Sequence, residues 1–85
     1  MSPQKKDYDP ARQRLKLLSR HLRNLRIQRG FSQEYVADFL CIKAPFVSKI
    51  ENGHKYPSVE ILFRLSDLYG IDIKEIFEFD YLLED

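Results

Sequence analysis

Residues 31–53, FSQEYVADFLCIKAPFVSKIENG, contain two short helical patterns separated by Cys41-Ile42-Lys43. Ser32 is a good N-cap for the first pattern, whose predicted inner face is Val36, Ala37, Phe39 and Leu40. The second pattern runs from about Ala44 to Asn52, tolerates Pro45 within its first turn, and has three candidate inward residues, Phe46, Val47 and Ile50. Two helices joined so tightly must cross steeply. The small side chain of Ala37 permits close contact at that crossing.

The flanking sequence predicts three more helices. Asp9-Pro10 is a favourable start for a first helix, and Ser58 caps a fourth. Asp72 with Glu75 resembles a capping box for a fifth helix, and glycines at positions 30, 53 and 70 each follow a helical pattern. No window shows convincing strand alternation. The predicted fold class is all-α with five helices: a domain over residues 9–78, a flexible basic arm over 1–8, and an acidic, aromatic tail over 79–85.

Composition narrows the functional class. At 85 residues and 44% hydrophobic content, the chain has room for one small globular domain. It lacks an apolar run long enough for a membrane span, so a cytoplasmic location without membrane contact is expected. The single cysteine, Cys41, excludes an intramolecular disulfide. His21 and His54 are isolated and expected to be solvent-exposed. The sequence has no metal or phosphate-loop motif, so neither an enzyme nor a cofactor is predicted.

The net charge of +1 conceals a strong asymmetry. Residues 1–30 contain nine Lys or Arg against two Asp, a formal charge of +7, whereas residues 31–85 sum to −6. This division favours a polyanion as the partner of the N-terminal half. A solvated basic helix without a partner is the alternative.

Four motifs with a characteristic spacing extend over about two-thirds of the chain: LRNLRIQRGFSQEYVADFL, VSKIENG, the Pro-Ser pair at 57–58 and LYGIDIKEIF. In these features the chain resembles the Cro-type, lambda-repressor-like (XRE-type) helix-turn-helix family. The resemblance implies a five-helix fold whose third helix lies in the major groove of double-stranded DNA. It also implies operator binding, usually as a homodimer, and regulation of transcription, with a repressor or controller expected here.

The resemblance also assigns roles by position. Gln33 matches a residue that bonds a phosphate and braces the third helix, and Asn52 matches a phosphate contact. The groove-facing positions are Ala44, Pro45 and Lys49, with Lys43 and Ser48 beside them. Arg26 and Glu51 match a charged pair that ties the first helix to the third, although a solvated surface pair is the alternative. Independently of the family, the charge of Lys55 suits a phosphate.

Three departures from the family pattern stand in the same stretch. Cys41 replaces the usual glycine of the turn, which predicts strain of roughly 1 kcal/mol in left-handed geometry. Lys43 replaces the usual Ser or Thr cap, a loss of about 1 kcal/mol. Ala44 and Pro45 cannot make side-chain hydrogen bonds to bases. Base selection is therefore expected through thymine methyl contacts, Lys49 or DNA shape. A helix-turn-helix used only for protein–protein interaction remains an alternative.

Both ends of the chain suggest additional contacts. Lys5 and Lys6 could follow the DNA backbone, with a simple tail as the alternative. The C-terminal stretch has more apolar residues than docking of a short helix requires. It is therefore predicted to contribute to a dimer interface through Ile71, Ile76, Phe77, Phe79, Tyr81, Leu82 and Leu83. An antitoxin that holds a protein partner through this tail is another alternative.

Overall fold

The computed structural model describes residues 9–84 and contains five α-helices within them. They are α1 (Pro10–Gln28), α2 (Gln33–Leu40), α3 (Ala44–Glu51), α4 (Val59–Tyr69) and α5 (Ile73–Ile76), followed by a 3₁₀ helix, Asp80–Glu84. No β-strand occurs in this part of the chain. The predicted all-α, five-helix fold class is thus confirmed. The predicted arm, residues 1–8, lies outside the described residues.

The helix ends follow the local signals in the sequence. The side chain of Asp9 accepts a hydrogen bond from the amide of Ala11 at 3.0 Å, as an N-cap does. Gly70 adopts φ +69° at the end of α4, the left-handed geometry that costs glycine little. At the start of α5, the Asp72 amide donates to Glu75 Oε2 at 2.9 Å, the return bond of a capping box.

The hydrophobic core lies where α1 to α4 converge and α5 closes one side. Leu22, Val36 and Ile76 are its most deeply buried large side chains, each with less than 2% of its surface exposed. The core is completed by Leu18, Leu25, Ala37, Leu40, Val47, Ile50, Leu62, Leu65 and Tyr69. Because each helix contributes residues at three- and four-residue spacing, the apolar stripes set the mutual orientation of α2 and α3.

One prediction about the inner faces of the helices was wrong. Phe39 is 44% exposed, because the buried stripe of α2 consists of Val36, Ala37 and Leu40. Phe39 lies about 100° around the helix from Leu40 and therefore falls beside that stripe. Val59 is 67% exposed, because it is the first residue of α4 and its side chain is directed away from the body of that helix.

His21 was predicted to be solvent-exposed and is instead buried on α1. Its Nε2 lies 2.8 Å from the carbonyl oxygen of Glu75, and its Nδ1 lies 2.9 Å from the hydroxyl of Tyr81. Asn24 Nδ2 donates to the same hydroxyl at 3.0 Å. The carbonyl oxygen of Glu75 can only accept a hydrogen bond, so Nε2 of His21 donates to it. The 3₁₀ helix is thereby fastened to α1.

This docking also corrects the predicted dimer interface. Ile76 is fully buried in the core, and Leu82 is buried within the chain, so neither side chain is available to a second copy. The physical reason is that the C-terminal segment folds back onto α1. Phe77 and Leu83 remain exposed, at 51% and 62%.

Candidate nucleic-acid interface

The junction between α2 and α3 is a tight left-handed turn. Cys41 adopts φ 60° and ψ 39°, and it is the only non-glycine residue with positive φ among residues 9–84. The amides of Cys41 and Ile42 donate to the carbonyl oxygens of Asp38 and Ala37 at 3.2 and 3.0 Å. Ala37 is buried, so the turn closes over a small side chain. The junction therefore fixes the steep crossing of the two helices at the expense of backbone strain at Cys41.

Helix α3 begins with few local stabilising features. Lys43 occupies the N-cap position and makes no side-chain capping bond, while Pro45 lies within the first turn, where a missing N–H is tolerated. The first-turn amides of α3 therefore lack a side-chain partner from Lys43. Amides in this position are good donors to an anion such as a phosphate.

The two faces of α3 have different partners. Val47, Ile50 and Glu51 are buried against the rest of the domain. The opposite face presents the residues predicted to contact DNA, at the i, i+3, i+4 and i+7 spacing of a single stripe; it consists of Pro45, Ser48, Lys49 and Asn52. Ala44 and Ser48 are half-buried, whereas Pro45, Lys49 and Asn52 are exposed. The exposed stripe of α3 is therefore free to enter a groove.

A charged network lies beneath α3 and connects it to α1 and α2. Arg26 donates from Nε to Glu51 Oε2 at 2.8 Å and from Nη2 to Oε1 at 3.0 Å, a bidentate pair. Gln33 Nε2 donates to Glu51 Oε1 at 3.1 Å, and Arg26 Nη1 donates to the carbonyl oxygen of Phe31 at 2.8 Å. The Arg26 and Glu51 side chains are only 12% and 4% exposed. The network thus orients α3 relative to the first turn of α2.

The network also keeps its charges fixed. The hydrogen bond that Arg26 donates to Glu51 raises the pKa of Arg26 above its usual value, although partial burial acts in the opposite direction. Tyr69 lies in the same region, and burial raises the pKa of its phenol well above the usual value. The carboxylate of Glu51 is thus compensated by Arg26 and Gln33 and does not confront an approaching phosphate as an unpaired charge.

Residues at the end of α3 extend the exposed stripe. Asn52 Nδ2 lies 3.3 Å from Ser48 Oγ, which links two predicted contact residues one turn apart. Lys55 Nζ lies 5.3 Å from the centroid of the Phe46 ring, a cation–π contact that limits where this exposed lysine can reach. The predicted DNA-contacting side chains thus gather on one side of the molecule. Two predicted residues are exceptions. Gln33 is half-buried in the network below, and Ala44, predicted to face the groove, is half-buried and packs against the core.

The structure brings further cations close to this stripe. Lys16, Arg20 and Arg23 of α1 line a groove together with Asn52 and Gly53. None of them belongs to the predicted site. Their four- and seven-residue separations place them on one helical face, and that signal was present in the sequence. It was missed because the position of α1 relative to the end of α3 depends on tertiary packing.

Residues 9–84 contain neither a metal-binding cluster nor a membrane-spanning helix. No group of three or more His, Cys, Asp or Glu side chains is arranged to hold a metal ion within that range. No helix in the same range is long and apolar enough to cross a membrane.

Comparison with known proteins places these features in a family. A helix-turn-helix family model matches residues 22–76. The HTH-type transcriptional regulator DdrOP3 of Deinococcus deserti is 38% identical over 61 residues, covering 72% of this chain and 47% of that relative. An uncharacterized HTH-type transcriptional regulator of Bacillus subtilis, YqaF, is 32% identical over 62 residues, covering 73% of this chain and 82% of the relative.

In a longer relative, the matched region is only a small part of the whole regulator. The HTH-type transcriptional regulator RamB of Mycobacterium tuberculosis is 35% identical over 51 residues, which cover 60% of this chain and 11% of RamB. The chain therefore spans about half the length of the Deinococcus relative and about a tenth of RamB. The matched region contains the charged network and both helices of the motif. The chain accordingly belongs to the XRE-type helix-turn-helix family of DNA-binding transcriptional regulators.

Proposed function

We propose that this protein binds a specific operator sequence by inserting α3 into the major groove and thereby regulates transcription, most simply as a repressor. The observation that carries the proposal is the exposed stripe of α3 above the buried Arg26–Glu51 pair. An α-helix fits the major groove, where each base pair presents a distinct pattern of donors, acceptors and methyl groups. A rigidly held helix can exploit that pattern.

Within the stripe, Lys49 is the proposed base-contacting donor. It is exposed on the outer face of α3, and a lysine can donate to guanine O6 and N7. Pro45, which is exposed, supplies apolar surface for thymine methyl groups. Asn52, Lys43 and Lys55 are proposed to donate to backbone phosphates, which fix the register without selecting sequence. Ser48 supports Asn52, and Gln33 braces Glu51.

The direct test is selection of bound fragments from a random DNA pool, followed by titration of the enriched duplex and of a scrambled duplex. Lys49→Ala is expected to reduce discrimination between the two duplexes by about 1–3 kcal/mol. Lys74→Ala removes the same charge from exposed α5 and is the matched control. Binding of both duplexes with equal affinity by the unaltered protein would show that the stripe does not select bases.

We further propose that two copies bind a pseudo-palindromic operator, with half-sites about one helical turn apart. The supporting observation is an apolar groove between α1 and the C-terminal segment, lined by Ala11, Arg14, Leu15, Leu18, Phe77 and Phe79. Phe77 is exposed, as are Tyr81 and Leu83 further along the C-terminal segment. Ile71, which precedes α5, is half-buried. A twofold dimer requires a self-complementary surface, and an exposed apolar groove can contribute to one.

Sedimentation equilibrium at micromolar concentration tests the dimer. Phe77→Ser is expected to shift the chain towards the monomer, because it replaces a half-exposed ring in the groove with a polar side chain. Val59→Ser, at an exposed apolar position on α4, should leave the association unchanged. A strictly monomeric unaltered chain would rule out the dimer, and a complex with a different protein at this groove would favour an antitoxin.

A further inference from the structure

Helix α1 has a face of basic side chains with no acidic partner in the helix. Arg12, Lys16 and Arg23 stand at i, i+4 and i+11, which places them within about 40° of one another around the helix axis. The sequence of α1, PARQRLKLLSRHLRNLRIQ, contains neither Asp nor Glu. Within residues 9–84 these three side chains take part in no ion pair. We call them the α1 basic surface.

This surface is continuous with the end of the proposed recognition helix. Lys16 and Arg23 line a groove with Asn52 and Gly53. Arg12 lines an adjoining groove with Gly53 and Lys55. The two grooves share Gly53, so the basic surface passes without interruption from α1 to the segment that follows α3.

Close packing holds α1 in this position. Ser19, between Lys16 and Arg23, is buried. A Cβ atom added at Gly53 would lie 3.9 Å from Ser19 Oγ, which shows how near α1 comes to the turn after α3. The separation between the basic surface and Asn52 is therefore set by the fold and not by the reach of flexible side chains alone.

The local electrostatics favour an anion. Glu51 also lines the groove, but its two carboxylate oxygens accept hydrogen bonds from Arg26. Asn52 supplies an amide donor, and Lys55 a further ammonium group, at the rim of the two grooves. Cations gathered in this way repel one another unless an external anion compensates them.

We propose that the α1 basic surface binds phosphates of the DNA strand that borders the groove entered by α3. This inference rests on the proposed function and extends it to residues outside the motif. Four residues rise about 6 Å along a helix, whereas one DNA strand rises about 3.4 Å per nucleotide, so Arg12 and Lys16 meet different phosphates. Guanidinium and ammonium groups donate charge-assisted hydrogen bonds to phosphate oxygens without selecting sequence.

Helices α1 and α3 thus have different roles in DNA binding. The outer stripe of α3 contains one cation, Lys49, and Lys43 stands at the N-cap position of the helix. Two positive charges provide only a weak electrostatic attraction to the many phosphates of DNA. The α1 basic surface supplies the missing attraction. Affinity and salt dependence then arise mainly from α1, and base selection arises from α3.

The test measures the dissociation constant of the full chain on a random-sequence duplex as a function of KCl concentration. The double variant Arg12→Ala/Lys16→Ala should lower the slope of log K against log salt by about 1.8 and weaken binding roughly 60-fold at 0.1 M salt. Alanine is a good helix former, so exposed positions on α1 tolerate it. Thermal melting by circular dichroism verifies the fold of the variant.

Arg64→Ala/Lys74→Ala is the matched control, since it removes two exposed cations, one from α4 and one from α5. Its slope should equal that of the unaltered protein, and Arg12→Lys/Lys16→Arg should retain the full slope. An unchanged slope in Arg12→Ala/Lys16→Ala would overturn the inference, as would an equal loss in the control.

The experiment separates failure of this inference from failure of the proposed function. If the unaltered chain binds no duplex, both are wrong. If it binds the enriched duplex selectively, and Lys49→Ala loses that selectivity while Arg12→Ala/Lys16→Ala keeps the full salt slope, only the role of the α1 basic surface is wrong.

Discussion

Two polar networks attach different parts of the chain to α1, and they differ in charge and in burial. Arg26 holds Glu51 of α3 through an ionised bidentate pair. Five residues earlier on α1, the two ring nitrogens of His21 contact the Tyr81 hydroxyl of the 3₁₀ helix and the backbone carbonyl of Glu75. The ion pair orients the helix proposed to enter DNA, whereas the His21–Tyr81 network fastens the segment proposed to border the dimer contact.

The difference in charge leads to different costs of disruption. Removing one member of a buried ion pair leaves the other charge desolvated and uncompensated. Removing the Tyr81 hydroxyl leaves His21 Nδ1 and Asn24 Nδ2 without this partner but breaks no ion pair, which is less costly. The motif end of the molecule is therefore expected to be the more sensitive of the two, and the following variants test that expectation.

The largest effect is expected for Glu51→Ala. This substitution leaves Arg26 partly buried without its carboxylate, and the free energy of unfolding should fall by about 3–5 kcal/mol. Urea denaturation measures the loss. Glu60→Ala, which breaks the exposed Glu60–Arg64 pair on α4, is the control and should change stability little. Similar small losses in the two variants would contradict the importance of the buried pair.

A pH effect should come from Tyr69, beside the same network. Its phenol is buried and its pKa is raised, so the folded chain holds the proton more tightly than the unfolded chain does. Above about pH 10 the unfolded chain loses this proton and the folded chain keeps it. The free energy of unfolding therefore falls above about pH 10, by up to about 1.4 kcal/mol per pH unit. Unfolding experiments between pH 9 and 11 should show a shallower decline in Tyr69→Phe. Parallel profiles would refute the assignment.

Tyr81→Phe should have a smaller effect at the C-terminal end. The substitution keeps the ring and removes the hydroxyl that contacts both His21 and Asn24, for an expected loss of about 1 kcal/mol. Tyr56→Phe alters an exposed tyrosine and serves as the control in the same urea titration. A loss as large as that of Glu51→Ala would reverse the proposed ranking of the networks.

The smallest effect is expected at the turn between α2 and α3. Cys41→Gly relieves the left-handed strain but raises the entropy of the unfolded chain, so a net gain of about 0.5 kcal/mol is expected. Cys41→Ala keeps the strain and should show no gain. Thermal unfolding can compare the three proteins. A destabilised Cys41→Gly variant would mean that the thiol makes a compensating interaction.

Sequence predicted most of the helical architecture, because helix limits depend on neighbouring residues. Asp9, Ser32 and Ser58 each cap a helix, and Gly70 ends one in left-handed geometry, as predicted. The strained turn at Cys41 was also predicted, from the absence of glycine at that position. These features involve separations of a few residues, for which local propensities are decisive.

Features that depend on distant parts of the chain were predicted less well. His21 and Tyr81 are sixty positions apart, and nothing local to either residue indicates their contact. For the same reason Ile76 and Leu82 were assigned to a dimer surface although they are buried in the chain. The basic residues of α1 were visible as a charge asymmetry, but their position beside Asn52 required the packed structure.

The central claim is that α3 enters the major groove of a twofold operator, and methylation interference tests it most directly. Dimethyl sulfate modifies guanine N7 in the major groove and adenine N3 in the minor groove. Guanine N7 methylation is expected to block binding at two half-sites about 10 base pairs apart. Interference confined to adenine N3, or none at either base, would contradict the placement of α3 in the major groove.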